Sequence, residues 1–136
     1  MDFVAKPGMS KERKITVSSN QTTSFLWEGE NVLSTPSMIA EMEETCRILL
    51  KEQVIPDPEW DSVGTIVDIK HLAATPVGAV VSLSARVASS DGRRVIFEVE
   101  ARDKLEKIGS GRHERFIINV PRFRAKFDEK LQRLSA

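Results

Sequence analysis

Between Leu33 and Lys51 the apolar residues recur every three or four positions, the spacing of one face of a helix. At about 100° per residue Met38, Ile39, Met42, Cys46, Leu49 and Leu50 fall in one arc, while Glu41, Glu44 and Lys51 fall outside it. Ser34 and Thr35 suit the N-cap, Pro36 suits the first turn, and no further proline or glycine intervenes before Pro56. The pattern predicts a single long amphipathic helix. Glu43 breaks it, sitting one turn after Ile39 inside or at the margin of the apolar arc. A carboxylate there has to be paired, hydrated in a cleft or put to use, because burying it alone is costly.

From Ser62 onward the period changes to two, the signature of strands. Val63, Thr65, Val67, Ile69, His71 and Ala73 are expected on one side of a strand, with Gly64, Asp68 and Lys70 on the other beside Ile66 and Leu72. Thr75 to Gly78 reads as a turn, and Val81, Leu83, Ala85 and Val87 alternate with Ser82, Ser84 and Arg86. Ser90-Asp91-Gly92-Arg93 is a hairpin signal, followed by Val95, Phe97, Val99 and Ala101 in alternation. A last strand over Ile108 to Val120 carries Gly109 and Gly111, positions where a sheet bends or lets a ligand approach.

The flanks complete the outline. Residues 1–13 read as a flexible arm, Ile15 to Val17 as a short strand and Thr22 to Trp27 as a second extended piece. Residues 121–136 predict a C-terminal helix with Phe123, Phe127, Leu131 and Leu134 on one side, packed on a sheet edge or a partner chain. No repeat or linker divides the chain, so 1–136 is expected to form one domain of the α+β class. The expected architecture is the hot-dog fold, an antiparallel sheet wrapped around a long central helix. Such a sheet has free edges, and a homodimer paired edge to edge is expected, with higher homo-oligomers open.

Composition narrows the function classes. Lysine plus arginine equals aspartate plus glutamate, 20 against 20, so no global field draws the protein to nucleic acid or an anionic membrane. Cys46 is the single cysteine, which excludes an intramolecular disulfide and suits a reducing compartment. No run is apolar enough to cross a bilayer, and the start MDFVAKPGMSKERK lacks the apolar stretch of a signal peptide, so a cytoplasmic address is expected. Two histidines and no cysteine pair give no expectation of a metal site.

Three polar residues have surroundings that are wrong for bystanders: Thr35 at the helix start, Glu43 on the apolar margin, and His71 among Val67 and Ile69 on a strand. Hydroxyl, imidazole and carboxylate are the components of a nucleophile, a base and its acidic partner. Residue type alone leaves other readings open, since Thr35 can simply cap, Glu43 can pair with a sheet arginine and His71 can fill the core. Thr35 and Glu43 are also about 12 Å apart along a helix, too far for a direct bond in one chain. A water, His71 or a second chain has to bridge them. Cys46 reads as a small core residue, and His113, between Arg112 and Glu114, as exposed or packed.

The blocks GTIVDIKHLAATPVG from Gly64, SSDGRRVIFEVEARD from Ser89 and KIGSGRHER from Lys107, with STPSMIAEMEE from Ser34, resemble the small hot-dog thioesterases related to fluoroacetyl-CoA thioesterase. The resemblance implies that Thr35, Glu43 and His71 are the catalytic threonine, glutamate and histidine. It implies that Gly64 lines the acyl pocket and that Arg115 lies near the acyl group and thioester. The implied activity is hydrolysis of a small acyl-CoA to free acid and CoA, with no cofactor, coenzyme A being part of the substrate. Leu26 and Gly29 stand where the fluoroacetyl-specific member carries lid phenylalanines, with Phe25 and Trp27 close by, so the acyl group stays open. Candidates for the CoA phosphates are Arg93 and Arg94 at the hairpin and Arg122, Arg124 and Lys126 at the tail. Hydration or dehydration of an acyl-CoA, and non-catalytic binding of acyl-CoA, are the alternative functions.

Overall fold

The computed structural model describes residues 3–136. Strand β1 (Ser10–Thr16) leads through a short 3-10 turn (Ser19–Gln21) and an irregular segment to helix α1 (Thr35–Gln53). Strands β2 (Trp60–His71), β3 (Val80–Asp91), β4 (Arg94–Arg102) and β5 (Lys107–Asn119) follow, and helix α2 (Val120–Leu134) ends the chain. All pairings are antiparallel, in the order β1-β3-β4-β5-β2, so β1 and β2 are the two edges. One face of this sheet packs on α1, which gives the hot-dog architecture.

Helix α1 begins where its local chemistry directs. Ser34 is the N-cap, its Oγ accepting from Ser37 N–H at 3.2 Å, and Pro36 occupies the first turn. Met38, Met42, Cys46, Leu49 and Leu50 are buried as the periodicity predicts, against Val81, Leu83, Val95, Phe97 and Ile117 of the sheet. Burying side chains of this size is worth about 1.5–3 kcal/mol each. Two arginines fix the helix laterally: Arg13 bonds to Glu41 and Thr45, and Arg47 holds Asp61 of β2 through two nitrogens at 3.1 and 3.0 Å.

Three sequence expectations change. The flexible arm expected over 1–13 is a strand from Ser10 onward, and before it Gly8 N–H and Met9 carbonyl already bond to Val87; residues 1 and 2 lie outside the described residues. The charge run concealed the alternation, because Lys11 and Arg13 lay their aliphatic stems inward and end on Glu52 and Glu41 of α1. The extended piece expected over Thr22–Trp27 reduces to one bridge, Thr22 to Leu33. Beyond it the buried Asn31 side chain accepts from Leu26 N–H and donates to the Trp27 and Gly29 carbonyls, local bonds that compete with sheet pairing.

The third change concerns β2. Gly64 pairs with Arg115 and Ile66 with Glu114, so Thr65 is an extra residue, a β-bulge. The bulge inverts the alternation. Ser62 and Gly64 face the helix before it, and Val67, Ile69 and His71 after it, whereas Val63, expected beside them, pairs with Phe116 on the outer face. The glycines of β5 serve packing rather than bending: a Cβ on Gly109 would collide with the Met38 side chain, and one on Gly111 would overlap the Asp68 carbonyl of β2. Gly111→Ala is therefore expected to cost about 3 kcal/mol, read as a fall of about 10 °C in Tm by thermal melting.

Candidate active site

Two groups of polar residues lie under the inner face of β2, at opposite ends. At the His71 end, the Thr35 hydroxyl and His71 Nδ1 are 2.7 Å apart. The helix start positions the hydroxyl and the last residue of β2 supplies the ring. They line an open cleft of about 350 Å³ with Thr23, Val32, Leu72 and Ala73. His71 Nε2 is enclosed and has no hydrogen-bond partner among the described residues. Burial lowers the His71 pKa, opposed by the backbone of Ala73, which favours a neutral ring beside the Thr35 hydroxyl.

At the Gly64 end stands Arg115, 5% exposed. Its Nε donates to Ser62 Oγ at 2.7 Å, Nη2 to the Ser62 carbonyl at 2.8 Å and Nη1 to His113 Nε2 at 3.1 Å. His113 is fully buried and its Nδ1 donates to the Ile66 carbonyl at 2.8 Å. A Cβ at Gly64 would stand 3.0 Å from His113 Cε1 and 3.6 Å from Arg115 Nη1, so the missing side chain lets β2 lie close over this pair. Burial pulls the pKa of both His113 and Arg115 downward. The charge of Glu43 acts on Arg115, His113 and Cys46 alike, which places its carboxylate at this end. Glu43 is half-buried and makes no hydrogen bond or ion pair among the described residues. Cys46 is buried and its thiol is pushed up to about 12 by burial, in keeping with a core role.

The structure thus joins Thr35 to His71 and Gly64 to Arg115 and Glu43, but separates the two sets by the length of two helical turns. Arg93 and Arg94 belong to neither. Arg93 stacks over Trp60 at 5.0 Å, and Arg94 pairs with Glu114 at 3.5 Å. Sequence reasoning passed over His113 and Ser62 as partners of Arg115. The signal for both was parity, since residues 113 and 115 share a face of β5 and Ser62 and Gly64 share the same face of the neighbouring β2.

Comparison with known proteins gives one consistent neighbourhood. The family described as "Fluoroacetyl-CoA-specific thioesterase" matches residues 17–121. The chain is 37% identical over 129 residues to the fluoroacetyl-CoA thioesterase of Streptantibioticus cattleyicolor, covering 95% of this chain and 88% of that protein. It superposes on the solved structure of the fluoroacetyl-CoA thioesterase FlK with a TM-score of 0.84 at 31% identity, over 93% of this chain and 98% of that one. A threonine-to-alanine variant of FlK has been solved in complex with fluoro-acetate. A thioesterase superfamily member from Thermus thermophilus superposes with a TM-score of 0.85 at 26% identity, over 96% of each chain.

Both histidines have their pKa lowered from 6.5 by folding, so the unfolded chain takes up their protons first as pH falls. The stability that goes with their neutral forms is complete above pH 6.5 and is lost as pH drops through the folded values. Tm is expected to fall as pH drops below about 6.5, and His71→Asn to remove part of that slope. The native protein is expected to leave a thiol reagent such as DTNB unreacted until it is denatured, given the position of Cys46.

Proposed function

Because the chain belongs to the fluoroacetyl-CoA-specific thioesterase family and is an acyl-CoA thioesterase, we propose that it cleaves small acyl-CoA esters in clefts that two copies of the chain build together. The observation that carries this reading is the division of the site: a base with its hydroxyl at one end of β2, and an unpartnered carboxylate with a buried arginine at the other.

Edge-to-edge pairing of β2 resolves that division. Among the two edges, β1 is guarded by Lys11, Glu12, Arg13 and Lys14, whereas β2 exposes Ile66 and Val67 by 54% and 43%. A two-fold antiparallel pairing centred between Val67 and Asp68 brings the Gly64 end of one copy to the His71 end of the other. Glu43, Gly64 and Arg115 of one copy then face Thr35 and His71 of the second across the substrate, in two equivalent clefts.

The chemistry follows from the protons. Thr35 Oγ–H donates to the neutral His71 Nδ1, which takes the proton as Oγ attacks the thioester carbonyl. The C–S bond breaks, the departing thiolate receives that proton, and CoA leaves an acyl ester on Thr35. Water then attacks the ester and gives a proton to Glu43; the bond from the acyl carbon to Thr35 Oγ breaks, that proton passes on to Thr35 Oγ, and the free acid leaves with Glu43 again a carboxylate. Pro36 has no N–H and Ser37 N–H is taken by Ser34, so the helix start offers little beyond the Thr35 N–H to the carbonyl oxygen. Arg115 supplies the positive charge for the developing oxyanion instead. Among the phosphate candidates, Arg93 shares a cleft with Arg122 and Lys126 and is retained; Arg94 is committed to Glu114.

The test is thiol release from a panel of short acyl-CoAs. Wild type is expected to release CoA, and Thr35→Ala, His71→Ala and Glu43→Gln each to lower kcat/KM by about a hundredfold or more. Folded wild type that releases none overturns the activity, and full kcat/KM in both His71→Ala and Glu43→Gln overturns the assignment. Subunits of these last two variants, co-refolded in equal amounts, are expected to recover about a quarter of wild-type activity, since half the dimers then hold one intact cleft of two. No recovery places the whole site in one chain.

A further inference from the structure

We infer that His113 is a positioning residue of the hydrolysis: it clamps the Arg115 guanidinium in one orientation by a neutral hydrogen bond, so that the arginine meets the acyl carbonyl with its charge uncancelled. The inference rests on the thioesterase reading above and adds a residue to which that reading gave no role.

The tautomer is fixed by the backbone. His113 Nδ1 donates to the carbonyl of Ile66, the first residue beyond the Thr65 bulge, which leaves Nε2 as an acceptor. Arg115 Nη1 donates to that nitrogen, while Ser62 takes Nε and Nη2 from the other side. Three of the guanidinium's five N–H groups are thus committed in a plane, and two stay available for an oxygen of the substrate. A carboxylate in the place of His113 would hold the arginine as firmly and neutralise it. An imidazole kept neutral by burial holds it and leaves its field intact. His113 also lies directly against Gly64, its Cε1 being the atom nearest to a Cβ built there.

Two substitutions separate positioning from packing. Asparagine places an amide nitrogen near the Nδ1 site, keeping the bond to Ile66 but offering Arg115 no acceptor. Glutamine reaches the Nε2 site with its oxygen. For release of CoA from a small acyl-CoA, His113→Asn is expected to lower kcat by about a hundredfold with KM changed by less than about threefold. His113→Gln is expected to recover to within about tenfold of wild type, whatever the order of the two Tm values. Wild-type kcat in folded His113→Asn overturns the inference, as does activity that ranks with Tm alone. Ser62→Ala removes the hydroxyl on the opposite side of the guanidinium and no backbone bond, and is expected to lower kcat about tenfold. An unchanged kcat in that variant overturns the clamp even where the His113 variants fail to fold. If wild type itself releases no thiol, the thioesterase reading falls and this role with it; active wild type beside an unaffected His113→Asn removes the role alone.

Discussion

A guanidinium enclosed in a protein cannot shed its proton, so its surroundings have to accommodate the charge. Arg115 meets that constraint with a serine hydroxyl, a backbone carbonyl and an imidazole, all neutral, and with Glu43 close enough to be felt but not bonded. Much of the inner sheet follows from this. Ser62 has to face inward, His113 has to hold one tautomer, and Gly64 has to lack a side chain. The arrangement fixes the cation's direction and keeps its field, where a bonded carboxylate would have cancelled it.

The other end of β2 inverts the balance. Thr35 and His71 are neutral in the resting protein, joined by one short bond and open to a cleft. The proposed hydrolysis creates charge there transiently, an oxyanion and an imidazolium, and the charged groups proposed to stabilise them sit two helical turns away in the same chain. Helix α1 therefore contributes to both ends, its cap at one and its misfit acid at the other.

Much of this was legible in the residues. The α1 periodicity, its cap and the hairpins came through because local spacing and turn chemistry determine them. Glu43 and His71 stood out because each contradicted the face it occupied. Two kinds of information did not come through. The part of β1 before Ile15 was hidden by long charged side chains whose apolar stems, invisible to a pattern of residue types, cover the helix. The Ser62, His113 and Arg115 network was hidden because it depends on cross-strand register, and the register of β2 depends on a bulge that no residue at 65 announces. A threonine there fits the alternation as well as it fits the interruption.

That interruption makes the length of β2 a functional quantity in its own right. The stretch from Trp60 to Gly64 is phased to the arginine, and the stretch from Ile66 to His71 is phased to the threonine, with one residue as the offset between two rulers. Substitutions within either ruler retune one half of the site and spare the other. Pairing Thr65 into a regular ladder, with no bulge, would shift every later residue by one and turn His71 to the outer surface with every arginine bond intact, so in this strand counting matters as much as chemistry.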